Sequence, residues 1–207
     1  MRLRDAELVA IDFESTGVVG AHPNEPWQLG MVWITGGTVT GRACSQWLRV
    51  GERPFNRYAP GQHHQLRAEL AAAPTLGELW PELQGWWLGH PLVAHNIGTE
   101  RSFLTQAAPL HALGPWIDTL QVARHVYPRL PAHGLEVLLD HLGLMGQVAE
   151  RCPGLLPHDA LFDAVGCAVL LIHFLSLPGW AEVEVEALVG LSATVYRQER
   201  RRGRSQN

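Results

Sequence analysis

Leu8, Val9, Ala10 and Ile11 form an almost unbroken apolar run within Glu7–Phe13. This is the pattern of a strand buried on both faces. Trp27–Thr35 predicts a second strand and Thr38–Val50 a third, and Gly36-Gly37 between them is a hairpin signal. Pro91–His95 reads as a short buried strand. Trp116–Thr119 reads as a fifth, set off by the breaker pair Gly114-Pro115. Helical spacing fills the gaps. Thr75 followed by Glu78 is a capping box opening a helix through Leu79, Leu83 and Trp86 or Trp87, with a kink expected at Pro81. Thr99–Leu110 and Leu120–Val126 are further helices, and Leu135, Leu138, Leu139 and Leu142 repeat at helical spacing up to Gly143. Asp159–Leu175 is the most apolar helix and is expected to be central, and Trp180–Arg200 predicts a last helix. Segments 51–66 and 144–157 read as long irregular connections, a length that often marks substrate loops.

A hairpin-rich start followed by α/β alternation predicts a mixed sheet with helices on both faces. The 207 residues fit one domain, 1–180, followed by a helix and basic tail, 181–207, whose end is expected to be disordered. No internal repeat or interdomain linker is visible.

Composition narrows the function. The net charge of -4 disfavours a strongly basic nucleic-acid binder held by bulk electrostatics. All 16 positive side chains are Arg, so neither a Lys Schiff base nor a P-loop Lys is available. Cys44, Cys152 and Cys167 are an odd, scattered set that disfavours a disulfide framework or a structural zinc site and fits a reducing cytoplasm. The N-terminus lacks the apolar core of a signal peptide, and Ala164–Leu177 is too short to span a bilayer, so no membrane association is expected.

Three segments carry candidate chemistry. In the first, Asp12 and Glu14 close an apolar strand and project to the same face, while Phe13 points the other way. Two neighbouring carboxylates repel and lose hydration, which a hard divalent cation offsets. The bland alternative is a strand that has ended in water. In the second, His95 and Asn96 follow a buried strand, and Glu100 falls in the first turn of a helix. There a carboxylate is favoured by the dipole alone, and His95 and Asn96 could simply tie the turn. In the third, Asp163 is a lone carboxylate entering an apolar helix five residues after His158. An acid so placed needs a cation, an ion pair or a hydrogen bond. Asp159 reads as the helix N-cap, with an Asp159/Asp163 acid pair as the competing reading.

In this order the segments resemble the DEDDh family of 3′–5′ exonucleases, the proofreading group that includes the epsilon subunit of bacterial DNA polymerase III. Asp12, Glu14, Thr16 and Gly17 match its D-x-E…T-G motif, and His95 and Asn96 its H-N-x-x-x-D, with Glu100 at the Asp position and Phe103-Leu104 following. His158, Asp163 and Ala164 match H-x-x-x-x-D-A. Ile117-Asp118-Thr119-Leu120 with Ala123-Arg124, then Leu135, Leu138 and Leu142-Gly143-Leu144, resemble the connecting segments. The likeness covers about residues 7 to 176.

The resemblance implies a ribonuclease H-like α/β fold with a five-stranded mixed sheet. It implies that Asp12, Glu14, Glu100 and Asp163 hold two Mg²⁺ or Mn²⁺ ions, with Asp12 bridging, Glu14 and Asp163 on the first ion and Glu100 supporting the second. His158 would be the general base, suited by an imidazole pKa of about 6.5. Phe13, Thr16, Gly17, His95 and Asn96 would meet the substrate. That substrate would be the 3′ end of single-stranded nucleic acid, DNA slightly ahead of RNA, shortened by nucleoside 5′-monophosphates. Glu100 departs from the family Asp by one methylene. Its presence leaves open an exonuclease-like domain, weakened in catalysis, that binds nucleic acid or a polymerase partner. A phosphodiesterase for small nucleotides and a homodimer also stay open, as does a base-stacking role for Trp27, Trp47, Trp86 or Trp87, or a substrate contact by His63 and His64.

Overall fold

The computed structural model describes residues 1–61 and 66–191. His63, His64 and the tail lie outside them. Five strands form one sheet: β1 (Leu8–Ser15), β2 (Pro26–Thr35), β3 (Thr38–Trp47), β4 (Leu92–Ala94) and β5 (Trp116–Asp118), in the order β3-β2-β1-β4-β5. The hairpin strands β2 and β3 pair antiparallel, and β1, β4 and β5 run parallel. Gly36 and Gly37 both take positive φ at the hairpin turn. The helices are α1 (Arg67–Ala72), α2 (Leu76–Trp87), α3 (Gly98–Ala107), α4 (Thr119–Val126), α5 (Leu135–His141), α6 (Met145–Arg151) and α7 (Ala160–Leu175).

Strand alternation sorts the side chains into two cores. Val9, Ile11 and Phe13 of β1, with Leu29, Met31 and Trp33 of β2, pack under α2 and α3. Leu8 and Ala10, with Val32 and Ile34, pack on the other face against α4 to α7. The sheet is therefore a mixed one with helices on both faces, as the alternation predicts. Asp12 and Glu14 continue the Leu8–Ala10 series and so face α7.

Helix α7 is apolar almost all round because it lies between the sheet and the outer helices α5 and α6. Its first turn comes down on β2 at Gly30, which pairs with Asp12 across the β1–β2 ladder. A β-carbon on Gly30 would stand 2.1 Å from the backbone carbonyl of Ala160. Gly30 is thus what lets the start of α7 approach the strand that carries the acids. Gly30→Ala is expected to cost about 3 kcal/mol or more by overpacking against backbone that has no soft neighbour to give way. A denaturant titration checks this, and an unchanged midpoint would show that α7 can shift freely.

One helix lies where irregular chain is expected, and another where no element is expected. Helix α6 occupies part of 144–157, and α1 follows the 51–66 connection; each buries a single apolar residue, Val148 or Leu70, too little to show as a period. Thr75 and Glu78 form the expected capping box, with Glu78 N–H donating to Thr75 Oγ1 at 3.2 Å and Thr75 N–H to Glu78 Oε2 at 2.7 Å. Pro81 lies inside α2 without dividing it. The last helical segment begins at 185 instead of Trp180. The chain ahead of it is pinned to the N-terminus, with Leu3 N–H donating to the Val183 carbonyl at 2.8 Å and Val185 N–H to that of Met1 at 2.9 Å. Val185 and Leu188, just past the expected boundary at 180, join the α7 core. Trp27 and Trp87 are core residues, while Trp47 is 42% exposed.

Candidate active site

The acids gather where the parallel strands end. In an open sheet, the carboxyl ends of the strands leave a crevice in which side chains from several elements can meet. Asp12 and Glu14 come from the end of β1, Glu100 from the first turn of α3 after β4, and Asp163 from the first turn of α7. Ligand atoms of Glu14, His158 and Asp163 lie within 4.8 Å of one another. Asp12 is coupled to the same group: desolvation first, then the charges of Asp163, Glu100, Glu14 and Asp159, hold its carboxyl well above the usual range. Desolvation, Asp163, Asp159 and Glu100 push Glu14 up to about 8. Burial, reinforced by Asp118, pushes Glu100 up to about 7. Burial pushes Asp163 up to about 6, against the backbone N–H of His158, which donates to its Oδ2 at 3.2 Å.

The structure therefore brings Asp12, Glu14, Glu100, Asp163 and His158 together. Repulsion this strong is tolerable for an acid that stays protonated or one that meets a cation. Glu100 Oε2 is buried with no hydrogen-bond partner among the described residues. An all-oxygen donor set with an orphaned buried carboxylate oxygen fits a hard divalent ion such as Mg²⁺ or Mn²⁺.

The electrostatics set a pH dependence. Carboxyls whose folded pKa lies above the unfolded value keep protons that the unfolded chain has already lost, so stability falls as pH rises. With Asp163 at about 6, Glu100 at about 7 and Glu14 at about 8, the metal-free protein is expected to lose stability steadily between about pH 5 and pH 8. A thermal melt in EDTA should drop by about 5 °C or more over that range, with Mn²⁺ reversing the loss. A flat or rising melting temperature in EDTA would contradict the clustering.

Asp159 is the N-cap of α7, its Oδ1 accepting from Leu161 N–H at 3.0 Å and Phe162 N–H at 3.4 Å. Its Oδ2 accepts from Gln28 Nε2 at 2.9 Å, so both oxygens have partners, while its charge still helps to raise the Asp163 carboxyl. Gln28 also accepts from Ala160 N–H at 3.3 Å. Buried Gln28 and Gly30 on β2 thus dock the helix that delivers Asp163. Sequence reasoning missed both, although a Gln and a Gly alternating on one face of an apolar strand were a visible signal.

Asp118 follows Ile117 at the end of β5. Its Oδ1 accepts from the N–H groups of Asn96 and Leu120, both at 3.0 Å, so it caps α4 and fixes the β4–α3 turn that carries Glu100. Asn96 takes φ 70°, consistent with Asn tolerating the left-handed region. His95 commits both ring nitrogens to protein partners: Nδ1 lies 3.0 Å from Thr119 Oγ1 and Nε2 2.8 Å from the His133 carbonyl. Burial lowers its pKa to about 4 and keeps it neutral. The turn-tying reading describes its geometry, and substrate contact through a ring nitrogen would break one of these bonds.

Thr16 is fully buried, its hydroxyl accepting from Glu25 N–H at 3.1 Å and donating to the Gly17 carbonyl at 3.1 Å. Gly17 has φ +68°, and a β-carbon there would lie 2.7 Å from Asn56 Cβ. Phe13 was expected to face substrate. Its side chain instead lies in the opposite core, edge-on to Phe103 with centroids 5.5 Å apart, because it alternates with the acids.

The comparisons with known proteins agree with this geometry. The chain is 27% identical to Exonuclease X, whose solved complex with 5′ overhanging duplex DNA superposes with a TM-score of 0.68 over 89% of this chain and 98% of that one. S. pombe Pop2p in its Mg²⁺- and Mn²⁺-bound form shares the fold, with a TM-score of 0.64 at 14% identity over 89% of this chain and 88% of that one. The fold is thus ribonuclease H-like. A DNA polymerase III PolC-type protein of Bacillus cereus is 24% identical over 188 residues, which cover 84% of this chain and 12% of that protein. The PolC-type protein of Streptococcus thermophilus is 27% identical over 148 residues, covering 70% and 10% respectively. The chain therefore corresponds to a small part of these polymerases. Residues 9–171 match the exonuclease family model RNase_T, a span that runs from β1 through α7 and includes every acid of the cluster, and the chain belongs to that family.

Proposed function

We propose that this protein is a metal-dependent 3′–5′ exonuclease that releases nucleoside 5′-monophosphates from single-stranded nucleic acid, with DNA slightly preferred to RNA. The observation that carries this reading is the convergence of Asp12, Glu14, Glu100 and Asp163, from three separate segments, beside His158. Asp12, Glu14, Glu100 and Asp163 are the residues that would hold two Mg²⁺ or Mn²⁺ ions, which when bound supply Lewis-acid stabilisation of the phosphodiester and an acidified water.

The chain supplies the rest. His158 reaches the cluster from an exposed left-handed turn with φ 68°. It removes the proton of the attacking water, and its backbone N–H holds Asp163 in place. Thr16 and Gly17 shape the floor under the terminal nucleotide, Phe13 contributes backbone alone, and Asn96 borders the cleft on the Glu100 side. His95 acts by fixing the turn between Asn96 and Glu100. Cys44, Cys152 and Cys167 are free thiols, which suits the cytoplasm. No helix among the described residues is long and apolar enough to cross a membrane. The solved complex of a 27% identical protein with 5′ overhanging duplex DNA supports DNA as the ligand. The PolC-type relatives make a polymerase a reasonable partner.

The test is a 5′-labelled single strand, DNA or RNA, incubated with Mg²⁺, Mn²⁺ or EDTA. A ladder shortened from the 3′ end that requires the metal supports the reading; binding with no ladder under either metal favours the weakened binding domain, whose one support is Glu100. Glu100→Asp is expected to match or exceed wild-type activity, since it restores the family carboxylate at the same turn. Abolished activity in that variant would show that Glu100 is not the equivalent of the family Asp.

A further inference from the structure

Cys167 is a fully buried thiol that the proposed reaction does not use. It lies one turn after Asp163 on α7, at the i, i+4 spacing that puts two side chains on the same helix face. Burial, then the charges of Asp12, Asp118 and Glu100, raise the thiol well above its usual range against a hydrogen bond from Thr119. The thiol therefore keeps its proton and stands within the field of the acid cluster. Its Sγ is 3.2 Å from Thr119 Oγ1. Thr119, the first residue of α4, is also fully buried. Its hydroxyl oxygen lies 3.0 Å from His95 Nδ1 and 3.2 Å from the Ala94 carbonyl. One hydroxyl proton thus faces three partners.

The far side of the His95 ring decides among them. Nε2 is 2.8 Å from the His133 carbonyl, which can only accept, so Nε2 carries a proton. Burial lowers the pKa of the ring to about 4 and keeps it neutral, so Nδ1 is bare and accepts. The Thr119 hydroxyl must donate to it. The Ala94 carbonyl is left with the weaker arm of a three-centre bond, and the Thr119 oxygen meets Cys167 only by accepting from the thiol. The bonds run one way: Cys167 Sγ–H to Thr119 Oγ1, Thr119 Oγ1–H to His95 Nδ1, and His95 Nε2–H to the His133 carbonyl. The chain starts on the helix that delivers Asp163 and passes through the turn that leads to Glu100.

We propose that Thr119 and Cys167 are positioning residues, whose bonded chain sets how Asp163 stands relative to Glu100 and so the spacing at which the cluster holds divalent ions. This rests on the metal-dependent reading above and adds two residues to it, neither of them a ligand. Apolar packing of α7 on β4 fixes no donor–acceptor distance, whereas a fully satisfied buried polar network selects one arrangement. Groups that orient metal ligands in this way change metal affinity or activity about 10- to 100-fold when they are removed.

The experiment uses four variants. Thr119→Val keeps the shape and deletes the hydroxyl, and Thr119→Ser keeps the hydroxyl. Cys167→Ala deletes the donor, and Cys167→Ser keeps one. Each is titrated with Mn²⁺ without substrate while its melting temperature is followed. Thr119→Val and Cys167→Ala are expected to need about tenfold more Mn²⁺ for half of the full shift, and the two Ser variants to stay near wild type. A lower metal-free melting temperature in Thr119→Val and Cys167→Ala with the Mn²⁺ requirement unchanged marks ordinary packing and overturns the proposal. NMR of the nitrogen-labelled histidine rings in wild type reads the tautomer without any substitution. A proton on Nε2 of His95 alone is expected, and one on Nδ1 overturns the chain as drawn. Neither measurement needs turnover. If wild type binds Mn²⁺ yet forms no ladder, the exonuclease reading fails while the positioning role is still decided. No Mn²⁺ shift in wild type overturns both.

Discussion

Asp12→Asn is expected to abolish metal-dependent hydrolysis, lowering it by about 10³-fold or more, a loss of several kcal/mol of transition-state stabilisation. Asp12 sits at the centre of the cluster: Asp163, Glu100, Glu14 and Asp159 all act on its carboxyl. Asn keeps the shape and removes the charge, so the strand and its pairing with Gly30 persist. The same change carries an opposite effect on the fold. Removing one of several repelling carboxylates relieves the desolvation and repulsion that hold its pKa up, so metal-free Asp12→Asn is expected to melt above wild type at about pH 8. Label release and thermal melts of one preparation check both. Activity within tenfold of wild type would remove Asp12 from the centre of the chemistry, whatever the melt shows.

His158→Asn is the second large effect, with kcat expected to fall about 10²- to 10⁴-fold, the usual contribution of a positioned general base. Asn suits the test because it accepts the left-handed backbone that His158 adopts at φ 68°. The backbone N–H that donates to Asp163 is retained, so the acid should stay in place. The thermal shift induced by Mn²⁺ should therefore persist while turnover is lost. Unchanged kcat would exclude the proton-transfer role. Simultaneous loss of the Mn²⁺ shift would assign His158 to holding the site together.

Much of this arrangement is legible along the chain. Strand β1 appears as an apolar run because a strand covered on both faces has no polar side to show, and α7 appears as the most apolar helix for the same reason. The N-caps at Thr75 and Asp159 are legible because a cap is a local hydrogen bond between residues two or three apart. Helices α1 and α6 are not, since each buries one side chain and leaves no period. Gln28 and Gly30 escape as well: their task is to receive a helix about 130 residues further on, and neither bears the chemistry itself. For His95 the motif suggests substrate, whereas its ring nitrogens meet Thr119 and the carbonyl of His133, partners that only the folded chain brings near.

Local order along the chain determined which residues carry charge and which face of each strand they occupy. Alternation alone sends Asp12 and Glu14 one way and Phe13 the other. What only the tertiary structure decided is that acids from three distant segments meet at the ends of parallel strands, where burial lifts every one of them and the charges of the others add to it at Asp12 and Glu14. Composition and spacing hold no information about such distances, because they arise from how β2 accepts α7 at Gly30 and how Asp118 and Thr119 hold the turn before Glu100.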